Sequence, residues 1–482
     1  MKNERVIKNF AYNTAYQILV LVAPLITTPY VSRVLGATNL GVYGYTQSIA
    51  SYFVLVGAVG TNLYGQREIA YLQDKPTDRT KAFWEIEVFR LVTVSVCTLI
   101  YTTLFCSIGK YPLIYGVLTI EVIATAFDIS WLFMGMENFR VIVLRNTIIK
   151  LVGIICVFLF VKTKDDLAIY TICVTAPLLL GNISLWFSLK KYLVKVHFAP
   201  KELLNGIIIR LRPVFVLFLP QVAMDVYLVL DKTMIGMLGS SIDQVGYYTQ
   251  AQKIVKLVLT IVTSLGTVML PAMSASFARG DHEEILRSIK TAFKTVYLLS
   301  FSLLFGLCAI APRFVPFFFG PGYDPVVLLM IVISPILVII ATSNVIGKQY
   351  LLPTAQQTAF TISILAGAGV NFILNLILIR QWDAIGASIA TVLAELAVTG
   401  VQCIYVRKQL PLRICFASGV RYLIMGLIMF LIVKGVDLIL PPEKYWAIGI
   451  MVAVGIVVYI GELIITNDPI LNMCLGLIKS KQ

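Results

Sequence analysis

The sequence predicts an all-α protein that crosses a membrane many times. Three observations carry this expectation. The 482 residues are 59% hydrophobic and only 13% charged. Mean hydropathy is +0.88. Apolar runs of the length that spans a bilayer, about 20 residues, recur from one end of the chain to the other. A soluble surface of this size needs far more charge. Backbone groups inside hydrocarbon must be satisfied within their own segment, so each run reads as a helix.

About fourteen such runs follow one another. Their limits are Asn9–Val34, Leu40–Tyr64, Phe83–Ile108, Pro112–Met134, Val141–Val161, Leu167–Leu189, Pro213–Leu238, Gly246–Met273, Thr291–Ala311, Pro325–Ile346, Thr358–Ile379, Ala384–Val406, Gly419–Leu440 and Tyr445–Thr466. The basic stretch from Lys190 to Arg212 separates six runs from eight. The expected organisation is an N-terminal bundle over 1–195 and a cytoplasmic linker over 196–212. A second bundle over 213–406 follows, then an extra helix pair with a cytoplasmic tail over 407–482.

The first two runs meet at a polar turn from Gly36 to Leu40. Pro24 and Pro29 interrupt the first run, with Thr27 and Thr28 between them, and Arg33 precedes the turn. A proline frees a carbonyl inside a membrane helix. A bent helix bearing a cation is tolerated against protein or a wet cavity. This hairpin is therefore expected to form part of a pathway wall. The same pattern returns later: Leu35–Gly36, a turn, then GVYGYTQ, against Leu238–Gly239, a turn, then VGYYTQ. The glycine after the turn, Gly41 in the first copy and Gly246 in the second, is offset by two residues. A repeat after an even number of helices inserts in the same orientation, which gives two parallel-related bundles of six helices plus a C-terminal pair.

Orientation follows from the cations. With the N-terminus inside, the inner segments hold Lys2, Arg5, Lys8, Arg67, Lys75, Arg79, Lys81, Lys190, Lys191, Lys195, Lys201, Arg210, Arg212, Arg279, Arg287, Lys290, Lys348, Arg407, Lys408, Arg413, Lys479 and Lys481. The outer ones hold Lys110, Lys162, Lys164, Arg313, Arg380 and Lys444. Both termini are therefore expected in the cytoplasm, and the basic N-terminus is expected to be retained. The longest outer connection, Ala311 to Pro325, is too short to house a catalytic domain. The net charge of +14 is scattered over short loops. It fits contact with anionic lipid and not with nucleic acid.

Ionisable residues inside the runs are Arg33, Glu85, Glu87, Arg90, Glu121, Asp128, Arg145, Lys150, Asp225, Asp231, Lys232, Lys253, Lys256 and Glu395. Each costs about 2.5–3.5 kcal/mol at a helix centre, so they should face protein or water. Glu87 and Arg90, three apart, can touch. Lys253 and Lys256 put two ammonium groups on one helix face, which suits an anionic ligand or a carboxylate from elsewhere. Glu121 and Asp128 share a face, either to hold a cation or to pair with Arg90 or Arg145. The eight cysteines and two histidines show no metal-ligand spacing. No nucleotide-binding loop or hydrolase motif is present, and neither a cofactor nor a metal is expected.

Several segments together resemble a polysaccharide-repeat flippase of the Wzx type. That type belongs to the multidrug/oligosaccharidyl-lipid/polysaccharide exporter superfamily. They are PLITTPYVSRVLG with GVYGYTQSIASYF, YGQREIA from Tyr64, DISWLFMGMENFR from Asp128, DKTMIGMLG from Asp231, FFFGPGY from Phe317, and Asn371 to Glu395. The resemblance implies transport, not catalysis. The cargo would be an undecaprenyl-diphosphate-linked oligosaccharide, moved from the inner to the outer leaflet of a bacterial cytoplasmic membrane through a central cationic cavity. It carries over Arg33 and, less directly, Arg90 as substrate contacts. Burial and charge add Lys232, Lys253 and Lys256. Where relatives keep several arginines, the second half here offers mostly lysines, which act as point charges and not forks. Glu121, Asp128 and Asp225 are the candidate sites for a coupling ion, proton or sodium. Other polysaccharide-assembly membrane proteins are the implied partners. A drug exporter of the same superfamily should show an anionic cavity and twelve helices. A glycan polymerase should show a large outer loop.

Overall fold

The computed structural model describes residues 2–197, 199–441 and 444–473. Cys474, Lys479, Lys481 and the expected tail lie outside the described residues. Among those described, every regular element is a helix. The helices are α1 (Lys2–Ala58), α2 (Thr61–Tyr71), α3 (Pro76–Tyr101), α4 (Pro112–Ala126), α5 (Ser130–Gly135), α6 (Phe139–Phe160), α7 (Leu167–Trp186), α8 (Pro200–Leu238), α9 (Asp243–Ala278), α10 (His282–Phe319), α11 (Pro325–Ile333), α12 (Ile336–Ile346), α13 (Gln357–Val406), α14 (Leu412–Ile439) and α15 (Trp446–Ile465). Ten stretches among the described residues are long and apolar enough to cross a bilayer. Two of them, Tyr16–Tyr71 and Gln357–Val406, each contain two of the expected runs. The chain is a multi-pass membrane protein.

Where runs were expected to separate, the helices bend at residues suited to the break. α1 is two helices joined at Gly36, with φ 76° and ψ 173°, a region open essentially to glycine. α13 breaks at Trp382 and Asp383. There the Asp383 carboxylate accepts from the Ser240 backbone N–H at 2.6 Å and from its hydroxyl at 2.8 Å. The outer connection is shorter than expected. α10 continues through Pro312 and Pro316 to Phe319, because its aromatic end packs on itself: Phe314 stacks on Phe318, and Phe319 on Tyr323.

Two compact units emerge. One comprises 1–236 and 241–246, the other 237–240 and 247–482. The units therefore part downstream of the expected 196–212 linker. The reason is that α8 already begins at Pro200, and Arg210 fastens it to the first unit. Arg210 reaches Glu85 at 2.6 Å, Glu68 at 2.6 Å and the Tyr64 hydroxyl at 3.0 Å. Gly206 allows this docking, since a Cβ there would stand 2.2 Å from the Glu85 carboxylate.

Inside the first unit the two repeated turns cross. A Cβ on Gly41 would lie 2.1 Å from the Ile242 carbonyl oxygen, and one on Gly246 would lie 2.2 Å from that of Ala37. The contact is reciprocal: Gly41 stands to Ala37 as Gly246 stands to Ile242. This gives the repeat a structural register. Nearby, Asn39 donates to the Lys164 carbonyl at 2.7 Å and Tyr30 to that of Val161 at 2.6 Å. Phe83 stacks on Trp131 at 5.3 Å, and Gly65 lets α2 close onto that indole.

The second unit packs Tyr297, Met425, Met429, Met451 and Tyr459 into a core of α10, α14 and α15. Arg313 binds the Asp437 carboxylate and the carbonyls of Asp437, Leu440 and Pro441. A cation thus meets the free carbonyls at the end of α14.

Candidate functional site

The charged residues of the first unit form a connected interior network. Arg90 on α3 is fully buried. Its two terminal nitrogens donate to the Asn62 side chain on α2 and to the backbone carbonyl of Asp128, just past α4. The Asp128 carboxylate accepts from the Ser130 N–H at 3.0 Å, opening α5, and lies 3.8 Å from Arg145 on α6. Arg145 bonds more closely to Asn182 on α7, at 2.7 Å, and to Asn146 at 2.6 Å. Asn182 in turn donates to the Ala124 carbonyl at 2.7 Å. Six helices, α2 to α7, are thereby linked in a network that centres on two guanidinium forks, which present several donors in fixed geometry.

Of the two pairings left open for Asp128, its carboxylate makes the one with Arg145, at 3.8 Å, whereas Arg90 reaches only its backbone carbonyl. It does not make the expected touch between Glu87 and Arg90. No donor reaches either Glu87 oxygen, because the Arg90 terminal nitrogens are already used. In this conformation Arg90 is enclosed.

The other expected residues are placed as follows. Arg33 is exposed near the Gly36 break, Asp225 and Lys232 are half-buried on α8, and Lys253 and Lys256 are half-buried on α9. Asp231, beside Lys232, is buried. Next to it Thr233 shares hydrogen bonds with Ser48 at 2.8 Å and Tyr52 at 2.9 Å. Glu121 on α4 is half-buried beside Gln47. In the second unit, buried Tyr248 and Gln252 on α9 bond to one another at 3.1 Å, and Tyr248 meets Thr391 of α13 at 3.1 Å. Asn371 and Asn375 are fully buried on α13.

Sequence reasoning missed Asn62, Asn146 and Asn182, and left Arg210 in the linker. An uncharged amide inside an apolar run was the available signal, since a buried amide needs partners. The second unit also holds an apolar groove of about 470 Å³ between α10, α14 and α15, bordered by Gly306, Met429, Val433, Gly455 and Tyr459. Among the described residues no cluster of three His, Cys, Asp or Glu could hold a metal. The network offers charge neutralisation and proton binding, with no nucleophile set beside a base.

A protein of Escherichia coli (strain K12) with the provisional name O-antigen transporter is 26% identical over 416 residues, covering 83% of this chain and 97% of its own length. A second, from Shigella dysenteriae and provisionally so named, is 22% identical over 78% of this chain and 93% of its length. Among solved structures, the lipid II flippase MurJ in an inward closed conformation superposes with a TM-score of 0.74 at 18% identity, covering 95% of this chain and 99% of that one. That likeness shows the fold. The family model described as polysaccharide biosynthesis protein matches residues 6–277, more than half of the sequence. With its helices arranged as in that fold, the chain belongs to the polysaccharide biosynthesis protein family.

Proposed function

We propose that the protein is a flippase for a lipid-linked oligosaccharide. It moves an undecaprenyl-diphosphate-linked repeat unit from the inner to the outer leaflet of the cytoplasmic membrane by alternating access. The product feeds synthesis of a capsule, an exopolysaccharide or an O-antigen. The observation that carries this reading is likeness to the named O-antigen transporter along 97% of that protein. The arrangement of charge is compatible with it: cations accompany carboxylates inside the spans, which suits a phosphorylated cargo better than a cationic drug.

The candidate diphosphate contacts are Arg33, Lys232, Lys253 and Lys256. Arg90, enclosed on α3, serves as a framework residue unless its helix rearranges. The apolar groove of the second unit suits an isoprenoid tail. A coupling ion supplies the drive, and anionic lipid holds the cytoplasmic loops, with both termini inside as the cation asymmetry requires.

The test is export in a deletion strain complemented with Arg33→Ala, Lys253→Ala or the wild type. The wild type restores surface glycan. The variants lower it and accumulate the lipid-linked saccharide on the cytoplasmic side, each by roughly tenfold, the effect of losing one charge-assisted contact. Full export by both variants rejects the cation assignment. An unaltered set of lipid-linked saccharides in the deletion strain rejects the function.

A further inference from the structure

Glu87 lies on α3, fully enclosed. Neither of its carboxyl oxygens has a hydrogen-bond donor. One turn before it, Phe83 stacks on Trp131. The charged groups acting on it are Arg90, on its own helix, and Asp128, at the end of α4. The α2 neighbour of this region, Asn62, is neutral and is spent on Arg90. A bare carboxylate in such surroundings is far costlier than a carboxylic acid. A metal cation would need several oxygens. The Asn62 side-chain oxygen and the Asp128 carbonyl, which could have helped, already accept from Arg90.

We propose that Glu87 is a proton-binding site, and that the proton, when released to water, is replaced by the Arg90 guanidinium as the alternative partner of the carboxylate. This deepens the flippase reading and rests on it for its purpose, though not for its existence. In the conformation described, the acid is neutral and Arg90 holds α2 and the α4–α5 turn to α3. When Glu87–COOH releases H⁺ to water, the carboxylate left behind needs a counter-charge. Arg90, three residues on, is within reach on the same helix face. To serve it, Arg90 must leave Asn62 and the Asp128 carbonyl. Proton release therefore loosens the attachments of α2 and α4 to α3, and proton uptake restores them. Neither Glu121, Asp128 nor Asp225 is enclosed in this way.

Two measurements test this. The first is infrared titration of the purified full-length protein in lipid nanodiscs, without substrate. The wild type shows a carboxylic-acid carbonyl band at neutral pH that is missing from the Glu87→Gln spectrum and displaced in Glu87→Asp. A band unchanged in both overturns the site. If Glu87→Gln does not fold, as judged by thermal melting, the Glu87→Asp spectrum decides alone. The second is transport of undecaprenyl-diphosphate-linked oligosaccharide into proteoliposomes under an imposed pH gradient. Wild-type flux changes severalfold with the gradient, and Glu87→Gln flux stays the same with or without it. A gradient response retained by Glu87→Gln overturns the coupling role. Absence of any wild-type flux, with the infrared band present, counts against the flippase reading and leaves the proton site standing.

Discussion

Replacing Gly41 by alanine probes the crossing of the two repeated turns. The new Cβ would stand 2.1 Å from the Ile242 carbonyl oxygen, where ordinary contact begins at 3.4 Å. The turns must part by about 1.3 Å at that point. The obstacle is backbone, which has no rotamer to escape into. The cost therefore belongs at the upper end of overpacking, about 3 kcal/mol. Gly246→Ala meets the Ala37 carbonyl at 2.2 Å and should cost the same. Gly36→Ala meets nothing within 4 Å but imposes φ 76° on alanine, which costs about 1–3 kcal/mol with no displacement of neighbours. Gly116→Ala on α4 also meets nothing within 4 Å and should be near neutral. Thermal melting of the four variants in one detergent orders them: Gly116→Ala with the wild type, Gly36→Ala lower, and the Gly41 and Gly246 variants lowest and alike. A Gly41→Ala melting point equal to that of Gly116→Ala would refute the close reciprocal crossing.

Arg210→Ala strands two carboxylates whose side chains are only 23% and 12% exposed, and should cost about 2–4 kcal/mol in the same melts. Arg210→Lys, which keeps charge but no fork, should recover roughly half of that. Asn182→Ala leaves the Ala124 carbonyl and one Arg145 donor without their partner, worth about 2–3 kcal/mol. Proteolysis between α6 and α7 should quicken to match. Gly306→Leu fills the apolar groove where the nearest atom to a Cβ, on Met429, is 3.9 Å away. It should slow transport of a full-length prenyl carrier several-fold more than that of a short-chain analogue. Equal slowing of both would remove the groove from the tail's path.

The helices were legible because hydrocarbon forces each apolar run to satisfy its own backbone. The break at Gly36 was legible for the same reason, since a turn needs a residue free to leave helical space. The extent of the helices was less so. Pro312 and Pro316 read as a loop, yet stacking of Phe314 on Phe318 carries α10 through them. Arg210 read as a linker charge because counting cations by loop ignores what a helix docks against. Two carboxylates more than a hundred residues away give it an interior place. Arg90 was recognisable as buried. Its partners were not, because Asn62 and a backbone carbonyl leave no charge pattern in the sequence. The crossing of the repeats needed three dimensions to fix its register, since the glycines that cross, Gly41 and Gly246, are offset by two residues between the copies.

The central claim is that this chain carries a diphosphate-linked sugar across the bilayer. The most direct measurement is the leaflet distribution of fluorescent undecaprenyl-diphosphate-oligosaccharide in proteoliposomes holding the purified chain. An impermeant quencher reads the outward leaflet. The account predicts that wild-type protein equilibrates the label between leaflets at least tenfold faster than protein-free liposomes, and that Lys253→Ala with Lys256→Ala abolishes the gain. Equal rates with and without the wild-type protein would contradict it.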